Sequence, residues 1–376
     1  MKAIHSILLR GLLGASITAF AGCGGCGSDG EQAACSGSCA GADASSGDAS
    51  SGNGGTDGAA GSDGSAGAGG TGAGGTTGGA GGVGNDGSAG NDAGVDVAAD
   101  AAACGACSAY TQPVRAGTVA QAELMELSGI VASRRHPGVF FAHNDSGDSA
   151  RFFAFDEGGR TLGEFRLQGV SAADWEDMAL GPCPAGSCLF FGDIGDNSHQ
   201  RASVAIVRVS EPEVTPGADA GTVVVAHDRF EYRYAAGPQN AEALLADPGT
   251  GHLYIVTKNP SGTSLVFRID APQSPGPVQT LSTLRELALP APGGRLVTGG
   301  AAHPCGDRLL LRTYDALLEY VAPPGQTFEA AFAATARPVP VAVEPQGEAV
   351  TYLADGAGYM TASEGTAPAL NVARCQ

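Results

Sequence analysis

A small polar or acidic residue is followed, 17 positions later, by an oxygen-rich turn, and this pairing recurs along the chain. The pairs are Ser128 with Asp145, Glu176 with Asp193, Glu242 with Asn259, and Thr298 with Asp315. A fifth copy is slightly out of step, with Glu348 lying 16 positions before Glu364. In the first two copies the turn reads Asp145-Ser146-Gly147-Asp148 and Asp193-Ile194-Gly195-Asp196, so Asp-x-Gly-Asp returns 48 residues on. Carboxylates gathered in one place repel, and their pKa values climb unless a cation shares the site. Calcium, a hard ion that takes about six to eight oxygens, suits Asp, Asn and Glu side chains in flexible turns. The candidate ligands are Asp145, Asp148, Asp193, Asp196, Asn197, Glu176 and Glu242. The competing reading is that Asp-x-Gly-Asp only makes a tight turn, with each Asp bonding its own backbone.

Residues so far apart meet only if the chain between them is folded in a repeating way. From Gly129 onward the apolar residues come in short runs split by Gly, Asp, Asn or Pro, which is the punctuation of antiparallel strands. The first unit reads 129–133, 139–143, 151–155 and 161–167, four strands in succession. The second unit repeats the plan, with Thr222–Val225 or Phe230–Tyr234 as its fourth strand; later units begin near Ala243, Leu309 and Ala349. Four-stranded units of this period are blades of an all-β propeller. Five units give five blades, with six as the alternative if one divergent unit escapes recognition. The fifth unit runs out of chain after three strands, and Val114–Leu124 supplies the fourth, so the ring closes by pairing the N- and C-terminal strands. In a propeller the innermost strand and the loop after the second strand open on one face. The recurring residues occupy these two places, which gathers them at one channel mouth.

Basic residues at that mouth are few. Lys258 and Arg312 are candidates to bind an anionic group beside a metal, or else simply to pair with a neighbouring acid. His143 is a further candidate, and Trp175, the only tryptophan, either walls a ligand pocket or wedges two blades apart. His303 reads as structural. No Gly-x-Ser-x-Gly elbow, His-Glu-x-x-His or Walker motif occurs, which disfavours a serine hydrolase or a nucleotide enzyme.

The N-terminal third has a different character. Residues 1–22 carry Lys2 and Arg10 before a short apolar stretch, the pattern of a secretory signal. The stretch ends in Phe20-Ala21-Gly22-Cys23, which resembles a bacterial lipobox and makes Cys23 the expected lipidated residue, with an ordinary secreted protein as the alternative. From 23 to 103 the chain is mostly Gly, Ala, Ser and Asp, with no aromatic, Leu, Ile or Met to bury, and it is expected to be a disordered tether reaching roughly 50 Å. Residues 104–376 form the propeller domain. The formal net charge of −19 argues against nucleic acid and favours cations or cationic ligands. The membrane is expected to be a partner through the lipid alone, which places the protein in the periplasm or at the cell surface.

Export makes disulfides the default state of the domain's cysteines. Cys183 and Cys188 flank a short turn and predict a local staple, and Cys104 or Cys107 is expected to bridge to Cys305 or Cys375 across the ring closure. A zinc site at Cys104 and Cys107 lacks a second pair of ligands.

The stretches Ser128–Val131, His143–Asp148, Asp174–Asp177, Gly192–Asn197, Ala241–Asp247 and Gln346–Ala349 together resemble a family of exported bacterial propeller proteins, over nearly all of 120–365. That family is described mostly as lipoproteins of undefined activity, so the resemblance implies fold and export. More distantly, the arrangement looks like calcium-dependent propeller hydrolases, namely the phytase-like esterases and the lactonases. No catalytic motif of either is matched residue by residue, and a phytase would carry more rim lysines and arginines. Two functions follow as expectations. The first is an extracytoplasmic binding module for a small molecule, glycan or protein. The alternative is a metal-dependent hydrolase of a lactone, ester or phosphoester, with Glu176, Glu242 or Glu348 as general base.

Overall fold

A computed structural model describes residues 107–290 and 295–376. The expected signal, Cys23, the tether of residues 23–103 and Cys104 lie outside the described residues. The described chain is a five-bladed β-propeller. It begins with β1 (Val114–Thr118), shorter than the Val114–Leu124 segment expected, which waits at the rim for the end of the chain.

Blade one is β2 (Leu127–Ala132), β3 (Val139–Asn144), β4 (Arg151–Asp156) and β5 (Thr161–Leu167). Blade two is β6 (Trp175–Cys183), β7 (Gly186–Asp193), β8 (Val204–Ser210) and, after the excursion of β9 (Thr222–Val225), β10 (Asp228–Tyr234). Of the two fourth strands considered for this blade, β10 is the one used. The segment β9 instead pairs parallel to β5 and adds a fifth strand to blade one. Blade three is β11 (Ala241–Ala246), β12 (Leu253–Thr257), β13 (Thr263–Ile269) and β15 (Thr283–Ala288). Its β14 (Gln279–Leu281) likewise crosses back, parallel to β10, to widen blade two. Blade four is β16 (Val297–Ala302), β17 (Arg308–Thr313), β18 (Leu317–Val321) and the three-residue β19 (Arg337–Val339). Blade five is β20 (Gly347–Tyr352), β21 (Gly358–Ser363) and β22 (Ala369–Arg374), completed by β1 lying antiparallel to β22. The ring is therefore closed by its two ends, as the sequence predicts.

Alternation along each strand sends successive side chains to opposite faces, and in a propeller those faces belong to different seams. In β4, Phe152 and Ala154 join the core between blades one and two, while Phe153 and Phe155 join the core between blades five and one. The buried apolar residues of the whole ring fall into five such cores, one for each seam. Burying one phenylalanine contributes about 1.5–3 kcal/mol, so each seam is held mainly by aromatic and branched side chains that belong to no single blade.

Two disulfides reinforce the scheme. Cys183–Cys188 closes the turn between β6 and β7, and Cys107–Cys375 joins the segment before β1 to the end of β22. Cys305 is disulfide-bonded as well. Beside the second bridge, Tyr110 pairs with Cys375 along the backbone and donates its hydroxyl to the buried Glu319 at 2.6 Å.

Candidate functional site

The recurring polar residues do not merely precede the innermost strands. Each is the extra residue of a β-bulge near the strand's start. Pairing with the second strand skips one residue between Leu127 and Gly129, Trp175 and Asp177, Ala241 and Ala243, Val297 and Gly299, and Gly347 and Ala349. The skipped residues are Ser128, Glu176, Glu242, Thr298 and Glu348. A bulge leaves its extra residue unpaired and re-aims its side chain, and all five are nearly out of solvent. The Ser128 hydroxyl donates to the backbone oxygen of Glu176, and that of Thr298 to Gly347 O at 2.9 Å, so these two tie each blade to the next. The other three carry carboxylates.

Around Glu176 the acids converge. One carboxylate oxygen from each of Asp145, Asp174 and Glu176 lies within 4.8 Å of the others. Asp145 comes from the turn after β3, Asp174 from the loop entering β6, and Glu176 from the bulge itself. Gly195 makes room for them: a Cβ there would sit 2.1 Å from Glu176 Oε1 and 2.5 Å from Asp174 Oδ2. Glu176 is 3% exposed, and its carboxylate accepts no hydrogen bond from any described residue. Burial, followed by the fields of Glu242, Asp145 and Asp174, pushes its pKa well above the usual carboxylate range. Burial likewise raises Asp145 to about 7, helped by Asp174, Glu242 and Glu364. Asp174 is raised by burial against the opposing charge of Arg201. Such a group of acids shares protons, or it shares a cation.

Glu242 and Glu348 flank this cluster. Lys258 Nζ donates to both oxygens of Glu242, at 2.7 and 2.6 Å, and to the Tyr314 hydroxyl at 2.8 Å, which uses all three of its protons. Burial works against the charge on Lys258, yet Glu242 and Tyr314 push its pKa up. Glu242 itself is raised by burial, against Lys258. Glu348 is raised by burial and by Glu364, and it accepts a bond from Gln346 Nε2 at 3.0 Å.

The remaining candidates have other partners. Asp148 turns to Arg151 Nε at 2.9 Å and to Asn144 Nδ2 at 2.8 Å. Asp193 accepts from Arg201 Nη2 at 2.7 Å and from the backbone N–H of Asp174 at 3.1 Å. Asp196 caps its own turn, accepting from the N–H groups of Gln200 and Arg201 at 2.8 and 2.9 Å. Asn197 accepts from Asn240 at 3.2 Å. Arg312 is wholly buried, donating to Glu344 at 2.7 Å and to Thr313 O at 3.0 Å. Trp175 lies in the seam between blades one and two, 1% exposed, stacked on Phe191 at 4.8 Å with the His143 ring edge-on at 5.4 Å. Burial lowers His143 to about 4, so it is neutral at physiological pH. His303 is buried against Gly356 O at 3.1 Å.

Two acids were missing from the candidate set. Asp174 lies two residues before a bulge, where three of the other four units carry Glu126, Asn240 and Gln346 and the remaining one Leu296, so a second polar position recurring in four units was there to be read. Asp177, 0% exposed, accepts backbone N–H groups from Met178 in its own blade at 2.8 Å, from Leu244 in blade three at 2.9 Å and from Gly300 in blade four at 3.0 Å. It clasps three blades at the middle of the channel. No protein-family model matches the chain, and no curated protein matches it either.

Proposed function

We propose that this propeller is a binding scaffold whose channel mouth holds a calcium ion between Asp145, Asp174 and Glu176, and that the ion-bearing mouth recognises a ligand outside the cytoplasm. The tethering part of this reading rests on the sequence pattern around Cys23. One observation carries the metal: a buried carboxylate, Glu176, has no donor among the described residues and stands among two further acids from two different blades. The oxygen-only donor set fits a hard cation, and there is no sulfur or imidazole in the cluster to favour zinc or copper. Glu242, beside the cluster and held by Lys258, is placed to complete the charge. Bound calcium would supply positive charge that can fix an anionic or hydroxyl-bearing ligand at the mouth.

A second reading has its own observation. Glu242 and Glu348 have raised pKa values next to the cluster, which suits general bases. Hydrolysis of a lactone, ester or phosphoester would use them on a substrate polarised at the same place.

The test is calorimetric titration of the full chain with calcium after chelator treatment, with the melting temperature followed in parallel. Saturation near 100 times Kd adds about 2.7 kcal/mol, or roughly 5–10 °C for a domain of this size. Glu176→Gln and Asp174→Asn are each expected to weaken binding at least about 10-fold and to remove the shift. Absence of binding at millimolar calcium overturns the metal site. Calcium-dependent turnover of esters or lactones that Glu242→Gln abolishes would select the hydrolase over the binding module.

A further inference from the structure

The acidic mouth lies at the starts of the five inner strands, and at their far ends the same channel opens into a second cavity. The space in it open to the centres of water-sized molecules is about 30 Å³, and every blade contributes to its wall through residues such as Ala132, Leu180, Ala246, Ala302 and Thr351. A rise of about 3.3 Å per residue over the six residues from Ser128 to Arg134 separates the two ends by roughly 20 Å. A small ligand at one end does not touch the other.

The side chains of the wall are apolar except for Thr351, Tyr352 and one charged residue, Arg134. Thr351 is already used, accepting the N–H of Ala132 at 3.1 Å and donating to Tyr352 O at 3.0 Å. Arg134 is half-buried and makes no hydrogen bond or ion pair with any described residue. Its nearest acid of consequence is Glu211, which acts on it only through space. Glu211 Oε1 accepts from Ser133 and its backbone oxygen from Arg135 at 2.9 Å, while its buried Oε2 has no hydrogen-bond partner among the described residues. The other arginines of this region behave differently: Arg135 pairs with Glu213, and Arg308 with Asp307 at 2.7 Å. A guanidinium carries five donors in a planar fork that matches a carboxylate or phosphate. None of its nitrogens is a buried orphan, so they reach solvent, and the acceptors they use come from water or from a ligand that displaces it. The middle of the same channel shows that its walls accept a carboxylate, because Asp177 lies there.

From the cavity and this unpartnered guanidinium we infer that the end of the channel opposite the acidic mouth is a binding site for a small oxyanion, a carboxylate or a phosphate, gripped by Arg134. The inference does not depend on the calcium reading, since the two sites lie at opposite ends and prefer opposite charges.

The experiment uses the full chain, freed of calcium, titrated with acetate, with inorganic phosphate and with chloride at constant ionic strength. Melting temperature and calorimetric heat are the readouts. Acetate or phosphate is expected to stabilise the wild type beyond the chloride control, and Arg134→Gln to weaken that response at least 10-fold. Arg134→Lys, which keeps the charge and loses the fork, is expected to retain a weaker response and serves if the Gln variant fails to fold. Glu176→Gln, at the other end, is expected to leave the response unchanged. A response to acetate alone identifies a carboxylate ligand, and one to phosphate alone a phosphorylated one. No response of the wild type beyond chloride, or an equal response in the wild type and the folded Arg134 variants, overturns the site.

Discussion

Glu176 and Asp177 are consecutive residues of β6, both carboxylates, 3% and 0% exposed, and they occupy opposite kinds of surroundings. Asp177 receives three backbone N–H groups from three blades, while Glu176 receives no donor from the described residues and faces two other acids. Burial raises the pKa of both. Burial alone therefore does not tell these two carboxylates apart; the count of donors does. The bulge between Trp175 and Asp177 is what allows neighbours to part in this way, because it turns Glu176 towards the mouth without shifting Asp177 out of the channel.

The strongest way to break this comparison is Asp177→Ala. It leaves three buried N–H groups without acceptors, at about 1–3 kcal/mol each, so a loss of roughly 3–9 kcal/mol is expected in urea unfolding. A loss below about 1 kcal/mol would put Asp177 on the same footing as its neighbour.

A smaller effect sharpens it through pH. Asp145 has a folded pKa of about 7 against an ordinary value of 3.8, so between those values the folded chain binds more protons than the unfolded one. Its contribution to stability without calcium is therefore fully present below about pH 4 and is lost as pH rises through 7. Allowing for its partial exposure, the swing is about 2 kcal/mol, to be read as the difference between wild type and Asp145→Asn. Calcium bound as proposed would compete with the same protons, so its affinity is expected to rise over the same window. Parallel slopes with and without calcium would contradict a shared site.

The smallest effect is expected at Asp148, an acid of the same repeated turn that is bonded to Arg151 instead of facing the cluster. Asp148→Asn should change calcium affinity less than about 2-fold and stability by less than about 1 kcal/mol. A larger loss of affinity would return Asp148 to the ligand set.

The repeat was legible because each blade needs the same inner strand, and the ring closure because β22 otherwise ends on an open edge. The placement of the acids at one face was legible for the same reason. Which acids point at one another was not. Asp148 and Asp193 are drawn off by Arg151 and Arg201, residues that reach them only once strand pairing and turn geometry are set. Asp196 follows the plain turn chemistry of its own loop. Asp177 was invisible because its partners are backbone groups, which the identities of Leu244 and Gly300 do not advertise. The segment Thr222–Val225 read as one of two possible fourth strands of blade two, and Gln279–Leu281 was not read as a strand; nothing local to either sequence says that it crosses back to the outer edge of the blade before.

The Cys107–Cys375 bridge has a mechanical consequence. Tension arriving along the polypeptide that precedes Cys107 divides at the sulfur pair, part passing into the chain leading to β1 and part into the end of β22. Those two strands lie side by side and are pulled from the same end, so the hydrogen bonds between them are not sheared against each other. With the bridge reduced, the same pull would act on β1 alone and slide it off its neighbour. The covalent link thus shifts force away from the joint at which the ring is closed by β1, a strand of five residues.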